Sequence, residues 1–468
     1  MRKHGLISGL AIGAMTATLC AKELPLTFKA LSVEEAMALP GGYGAYGSLT
    51  AGKSTALKRE PKANSERPVY GELGRRENER GFLFRADETG GTGKGYDQLI
   101  LDLNQNRDLT DDPVIKRAGT SPAQKTGTQT PATVRRESFR FGPIEVPAAK
   151  ALGAWRPIYF AELTYYRRST APSAARLPSS SLGQLRLRAG YYLETAIELD
   201  GIKQKIGVVD GNANFRLGDE TKPTTYDRGR EKSWYFPPAD AFLRDTDGSG
   251  KFDNRPNDPE SSPFGTMLYL GATPYRVTLA ENYASLRVEP WTEKLAELSV
   301  QPNGDPVREL LLAWERKPGD WALIKAGVAH GRAKVPPGKL RLTGCALEGS
   351  AKDGERLSLG GFYRKMDKTV VAPAGQTTTL NCGAPFEVQL TAEKQNRSEM
   401  SGLFSDRIST TANVGTVVLI QAEIFGAGGE TFATFAKGRN LEDEPAKPRF
   451  TIRDKDGKQV ASGNLEYG

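Results

Sequence analysis

Three stretches of the chain space side-chain oxygens as a bound cation would need them. They are Asp102-Leu-Asn104-Gln-Asn106-Arg-Asp108-Leu109, Asp210-Gly-Asn212-Ala-Asn214-Phe-Arg216-Leu217 and Asp245-Thr-Asp247-Gly-Ser249-Gly-Lys251-Phe252. Each has Asp at position one, Asn or Asp at three, Asn or Ser at five and an apolar residue at eight. That is the register of an EF-hand-type calcium loop. A tight turn aims the oxygens at one, three and five at one ion, the carbonyl at seven adds another, and the residue at eight pins the loop to a core. The candidate ligands are Asp102, Asn104, Asn106 and Asp108 in the first loop, and Asp210, Asn212 and Asn214 in the second. In the third they are Asp245, Asp247, Ser249, Lys251 and Asp253. Ca2+ in a structural role is the expected cofactor, because it takes six to eight hard oxygen ligands in loose geometry.

The departures from the pattern are specific. Glycine at position six occurs only as Gly250, with Arg107 and Phe215 elsewhere. The bidentate acid at position twelve is replaced by Pro113, Thr221 and Pro256. Asp111 or Asp112, Asp219 or Glu220, and Asp253 or Asp258 stand near enough to substitute. The competing reading is that Asp, Asn, Gly and Ser build hairpin loops through Asx-turns without any ion. Asp454-Lys-Asp456-Gly457 is read in that way, as a plain hairpin turn.

Other chemistry is poorly supplied. Gly47-Ser-Leu-Thr-Ala-Gly52-Lys53-Ser54 has the letters of a phosphate-binding loop, but no core strand precedes it and no useful helix follows, so no nucleotide is expected. Gly42-Tyr-Gly44-Ala-Tyr-Gly47 lacks a βαβ frame for a dinucleotide. The two histidines are His4 and His330, and no nucleophile elbow accompanies them, which leaves no triad. Paired carboxylates remain open, so a hydrolase acting on polysaccharide is the alternative function. Tyr165-Tyr166, Tyr191-Tyr192 and Trp234-Tyr235-Phe236 would be its sugar platforms, although such clusters are more often core edges. Bases are scattered among acids, so no nucleic-acid surface is expected.

The elements that must hold the loops read as strands. Alternating segments such as Phe82-Leu-Phe-Arg, Gln184-Leu-Arg-Leu-Arg188 and Lys339-Leu-Arg-Leu-Thr343 are bounded by turn residues. Gly 51 and Pro 29 in 468 residues favour short strands and turns over long helices. Helix is expected only at Val33–Leu39 and Trp291–Leu298. The fold class is mainly β: several antiparallel β-domains, the C-terminal ones sandwich-like and Ig-like. The expected units are a signal peptide at 1–21, β-domains at 22–136 and 137–293, a β-sandwich at 294–384 and an Ig-like domain at 385–468. The stretches Gly119–Thr133 and Ser169–Leu182 read as long loops.

Met1-Arg-Lys-His-Gly5 followed by the apolar run to Leu19 has the form of a secretory signal peptide. Its removal would lower the formal charge from +8 to +6. Leu19 makes a poor lipobox, so a lipid anchor at Cys20 is disfavoured. No later apolar run is long enough for a membrane helix. The expected location is periplasmic or extracellular. Cys345 and Cys382 then form an even pair that suits one disulfide or two buried thiols.

The segments Gly95-Tyr-Asp97, Leu99-Ile-Leu-Asp102, Val208-Val-Asp210-Gly-Asn212-Ala-Asn214 and Pro274-Tyr-Arg-Val277 resemble a group of uncharacterised secreted bacterial proteins that string such loops between β-strands. Gly426-Ala-Gly-Gly-Glu430 and Asn464-Leu-Glu-Tyr-Gly468 are similar to their tails. The resemblance covers most of the mature chain in short motifs. It implies export, β-domains and calcium, and it carries no activity. The expected function is a calcium-binding protein with a binding or structural role at or outside the cell envelope, with a polysaccharide or cell-surface component as partner. A role in cell-surface assembly is a third possibility.

Overall fold

A computed structural model describes residues 21–42, 44–74, 81–91, 95–120, 134–146, 155–168, 182–199, 201–227, 232–254, 260–301, 307–350, 354, 356–362, 369–396, 416–437, 449–453 and 455–464. The signal-peptide segment 1–20 lies outside these residues, as do nearly all of the long loops expected at 119–133 and 169–182.

The protein is mainly β, in several antiparallel sheets. One helix is described, Val33–Ala38. Its capping box is complete: the Ser32 hydroxyl accepts from the Glu35 N–H at 3.2 Å, and the Glu35 carboxylate accepts from the Ser32 N–H at 2.8 Å. Pro40 ends it by holding Leu39 extended. The helix expected at Trp291–Leu298 is instead the strand Ala296–Gln301. Ala296, Leu298 and Val300 are all buried, a period of two that only a strand can put on one face. This strand also makes a parallel pairing, with Thr377–Asn381.

The largest sheet of the N-terminal region has eight strands. It runs from Ala45–Ser48 through Gly183–Ala189, Ile158–Arg168, Val134–Glu145, Val114–Thr120, Gln98–Leu101 and Phe82–Asp87 to Val69–Leu73. The two end strands meet through the bridge Thr50–Tyr70, so the sheet curls back on itself. Their approach is close enough that a Cβ on Gly71 would lie 2.5 Å from the Ser48 carbonyl. Beside it stands a five-stranded sheet, Ser261–Pro263, Ala241–Arg244, Ile202–Val209, Tyr191–Leu199 and Thr27–Ala30. A four-stranded sheet pairs Lys22–Pro25 with Ser285–Pro290. One buried cluster links them all, from Leu26 to Val288. The boundary expected at 136/137 therefore falls inside one strand, one sheet and one core.

Beyond residue 294 a three-stranded and an eight-stranded sheet share a second cluster that includes Leu298, Leu310, Leu342, Leu380 and Phe432. Arg356–Phe362 pairs with Thr431–Lys437, so the boundary expected at 384/385 also lies within a sheet. No described sheet mixes strands from the two sides of 293/294. Arg449–Arg453 and Gln459–Asn464 form a hairpin around Asp456-Gly457, and among the described residues they pair only with each other. Cys345 and Cys382 are free and buried.

Candidate cation site

Each Asp loop leaves the end of a strand. The first joins Gln98–Leu101 to Val114–Thr120, which pair with each other. The second follows Ile202–Val209. The third follows Ala241–Arg244 and returns into Ser261–Pro263, again as a pair. Buried apolar strand ends make these anchors rigid. The residues at position eight extend the anchoring, for Leu109, Leu217 and Phe252 are all buried.

The three loops share one backbone. Positions four and six have positive φ in each: Gln105 57° and Arg107 68°, Ala213 51° and Phe215 70°, Gly248 73° and Gly250 79°. Only the third uses glycine there. The left-handed conformation costs an ordinary residue about 1–2 kcal/mol, so the first two loops need compensation. Hydrogen bonds to the position-one Asp supply it. Asp102 accepts from the N–H groups of Asn106 at 3.1 Å and Arg107 at 3.0 Å. Asp210 accepts from those of Asn214 at 3.2 Å and Phe215 at 2.9 Å. Asp245 accepts from Gly250 at 2.8 Å. The side chain at position three accepts from the N–H at five in every loop, at 3.0, 3.0 and 2.9 Å.

The loops differ in how they are closed. In the first, the amide groups of Asn104 and Asn106 donate to Asp111 at 3.2 and 2.8 Å. In the second, those of Asn212 and Asn214 donate to Asp219 at 3.1 and 2.5 Å. Flipping these amides would set oxygen against carboxylate and nitrogen against backbone N–H, so this orientation follows from hydrogen-bond bookkeeping. The amides lie between the acids and neutralise them with donors. Asp108 turns away, accepting from Thr110 at 3.0 Å with Arg59 at 3.8 Å, and its carboxyl is held below the ordinary range, chiefly by Thr110. Burial pushes Asp112 up to about 6, and one of its oxygens is buried with no partner. Burial likewise raises Asp210 to about 6, offset by the Tyr159 hydroxyl at 2.7 Å. Asp240, also raised by burial and by Asp210, accepts from the N–H groups of Gly211, Gly218 and Asp219 and ties the second loop's ends together.

The third loop has no amide at three or five. Asp245, Asp247 and Glu260 instead bring one ligand oxygen each to within 4.8 Å of one another. Asp245 is 7% exposed, and its Oδ1 is buried without a hydrogen-bond partner. Ser249 Oγ accepts from the Lys251 N–H at 3.3 Å, which keeps it in the turn. Glu260 is held by Thr246 N–H and Oγ1, each at 2.6 Å, and by Asp253 N–H at 2.9 Å. Lys205 stands at the edge, its ammonium donating to the Gly250 carbonyl at 3.2 Å and pairing with Glu194 at 2.6 Å.

Asp253 contributes its backbone N–H to Glu260, and its carboxylate is not in the acidic group. Of the acids considered as closers, Asp258 lies outside the described residues. Glu260 was not among the candidates. Its signal is the hairpin: once Ala241–Arg244 and Ser261–Pro263 are paired, the residue before the second strand must return to the residue after the first. The Arg244 N–H donates to the Glu260 carbonyl at 2.9 Å in that register.

The other sequence motifs place no chemistry. His330 sits exposed in a turn, and Gly47–Ser54 leaves a strand into bends with no helix after it. Tyr191 and Tyr192 are buried in the core, not on a surface. No described helix is long and apolar enough to cross a membrane. No family model, no curated protein and no solved structure matches the chain.

Proposed function

We propose that this chain is an exported calcium-binding β-protein with a binding or structural role, and that its third Asp loop is the principal ion site. The observation that carries the reading is the convergence of Asp245, Asp247 and Glu260 within 4.8 Å, with Asp245 Oδ1 buried and unpartnered. A buried carboxylate oxygen without a donor, such as Asp245 Oδ1, is costly, and a divalent cation is the partner that three converging carboxylates suit. Asp245, Asp247, Glu260, the Ser249 hydroxyl and the Lys251 carbonyl are the hard oxygens available. Their mixture of side-chain and backbone oxygens favours calcium over magnesium, which keeps more of its water and demands octahedral geometry. The ion would staple the end of Ala241–Arg244 to the start of Ser261–Pro263, and hence the edge of the five-stranded sheet. The first two loops, already closed by amides, need no ion to hold their shape.

Calorimetric titration of chelator-treated protein with CaCl2 tests this. One site per chain that disappears in Glu260→Ala, with the fold retained by circular dichroism, is the expected result. No heat of binding, or equal binding in the variant, refutes it.

A further inference from the structure

A cavity of about 570 Å³ opens between the N-terminal and C-terminal regions. One wall is Ser261–Pro263 with the segment around Pro238. The opposite wall is the outward face of the large C-terminal sheet, carrying Leu311, Leu323, Ala346 and the half-exposed Phe362. The volume is in the range of about 300–1,000 Å³ common to pockets for small organic ligands, and the walls are mostly apolar.

One end is polar. Ser262 is 7% exposed, lines the cavity, and its Oγ is buried with no hydrogen-bond partner. A buried hydroxyl in that state lacks a group to bond. Glu309 and Lys325 line the same space and pair at 2.5 Å, and Lys325 also donates to the Ser261 carbonyl at 3.2 Å. Arg244 closes the group from below, 2.6 Å from Glu309. Arg244, behind the lining, and Lys325, on it, set two cations against the Glu309 carboxylate, and Lys325 is the lining residue able to meet an anion. Asp240 also lines the cavity, but its carboxylate is engaged by three backbone N–H groups of the second Asp loop. An apolar body with one anionic, hydrogen-bond-accepting end complements this arrangement.

We infer that the cavity between the two regions binds a small amphiphile, an aliphatic or aromatic monocarboxylate, with its apolar part against Leu311, Leu323 and Phe362 and its carboxylate at Lys325 and Ser262. The cavity shares the strands Ala241–Arg244 and Ser261–Pro263 with the cation loop but uses none of the carboxylates of Asp245, Asp247 and Glu260. The charged end selects for acids, and the hydrocarbon walls supply the bulk of the affinity.

The test is calorimetric titration of the full chain with dodecanoate and, separately, with 1-dodecanol. Dodecanoate is expected to bind one to one, and Leu311→Trp and Ala346→Trp, each filling the cavity, to weaken it by at least about tenfold. Lys325→Gln is expected to weaken dodecanoate by about tenfold and to leave 1-dodecanol unchanged. Two filling variants guard against one failing to fold, and thermal melts report which of them is native. Absence of dodecanoate binding to the wild type overturns the inference. So does binding that survives both native filling variants, or a Lys325→Gln effect equal for the acid and the alcohol.

Discussion

Replacing Asp245 with Asn should move the metal-free and the calcium-loaded protein in opposite directions. In the wild type, Asp245 and Glu260 are both buried and bring oxygens to within 4.8 Å of each other. At an effective dielectric of ~20, two unit charges at that separation repel by about 3 kcal/mol. The N–H donors on each carboxylate offset part of this, and exposed Asp247 is screened by water. An Asn at 245 keeps an oxygen for the Gly250 N–H and places an amide where Oδ1 now has no partner. That sets an amide among the acids of the third loop, from position one, where the first two loops have theirs at positions three and five. Metal-free stability is expected to rise by about 1–3 kcal/mol, which for a region of this size is a Tm increase of a few degrees. The calcium response should vanish, whereas the wild type gains about 2.7 kcal/mol when calcium is 100 times its Kd. Scanning calorimetry of both proteins in EGTA and in CaCl2 reads all four states. A variant that melts below the wild type in EGTA would refute the argument, because the carboxylate would then be a needed acceptor and not a strained ligand. A variant that keeps the full calcium shift would refute it equally.

Asn106→Asp should do the reverse in the first loop. It removes a donor 2.8 Å from Asp111, so stability in EGTA is expected to fall by about 1 kcal/mol, and calcium to restore it; urea titration with and without calcium checks this. Glu309 should govern acid stability. Burial alone would raise its carboxyl, yet Lys325 and Arg244 hold it at about 2 against an ordinary 4.5. A lowered carboxylate stabilises above its unfolded value and loses that contribution as pH falls, here about 3 kcal/mol between pH 4.5 and 2. Glu309→Gln is expected to flatten the stability curve over that window, and a curve with the wild-type slope would count against it. The thiols of Cys345 and Cys382 should resist Ellman's reagent until the protein is unfolded, because both are buried, and hydrogen bonding to Cys382 together with burial raises Cys345. Fast labelling of the native protein would contradict this.

The loops were legible because their information is local. An Asp whose carboxylate collects the N–H groups four and five residues on, followed by oxygens at three and five, specifies its own turn, and the apolar residue at eight fixes its depth. The turn even survives Arg107 and Phe215 at position six, where sequence alone asks for glycine. Glu260 was hidden because its place depends on strand register, fifteen residues beyond Asp245. The mainly β character was legible from alternation. The boundaries at 136/137 and 384/385 were not, because polar stretches in the sequence need not separate cores: Val134–Glu145 begins in one expected domain, ends in the next and pairs there with Ile158–Arg168. The segment Trp291–Leu298 misled for a related reason. Its apolar residues fit either period over so short a span, and neighbouring strands decided the outcome.

The first described strand, Lys22–Pro25, pairs with Ser285–Pro290, and the next, Thr27–Ala30, pairs with Tyr191–Leu199. Both strands therefore find their partners far along the chain. A growing chain holds Thr27–Ala30 unpaired until residue 191 has been made and Lys22–Pro25 until residue 285, and the longer of these closures spans well over two hundred residues. Such long closures are slow, and local hairpins must form well before them. Lys22–Pro25 thus acts as a clasp, drawn shut only when residues 285–290 are present, and the N-terminal region cannot reach its native form piecemeal.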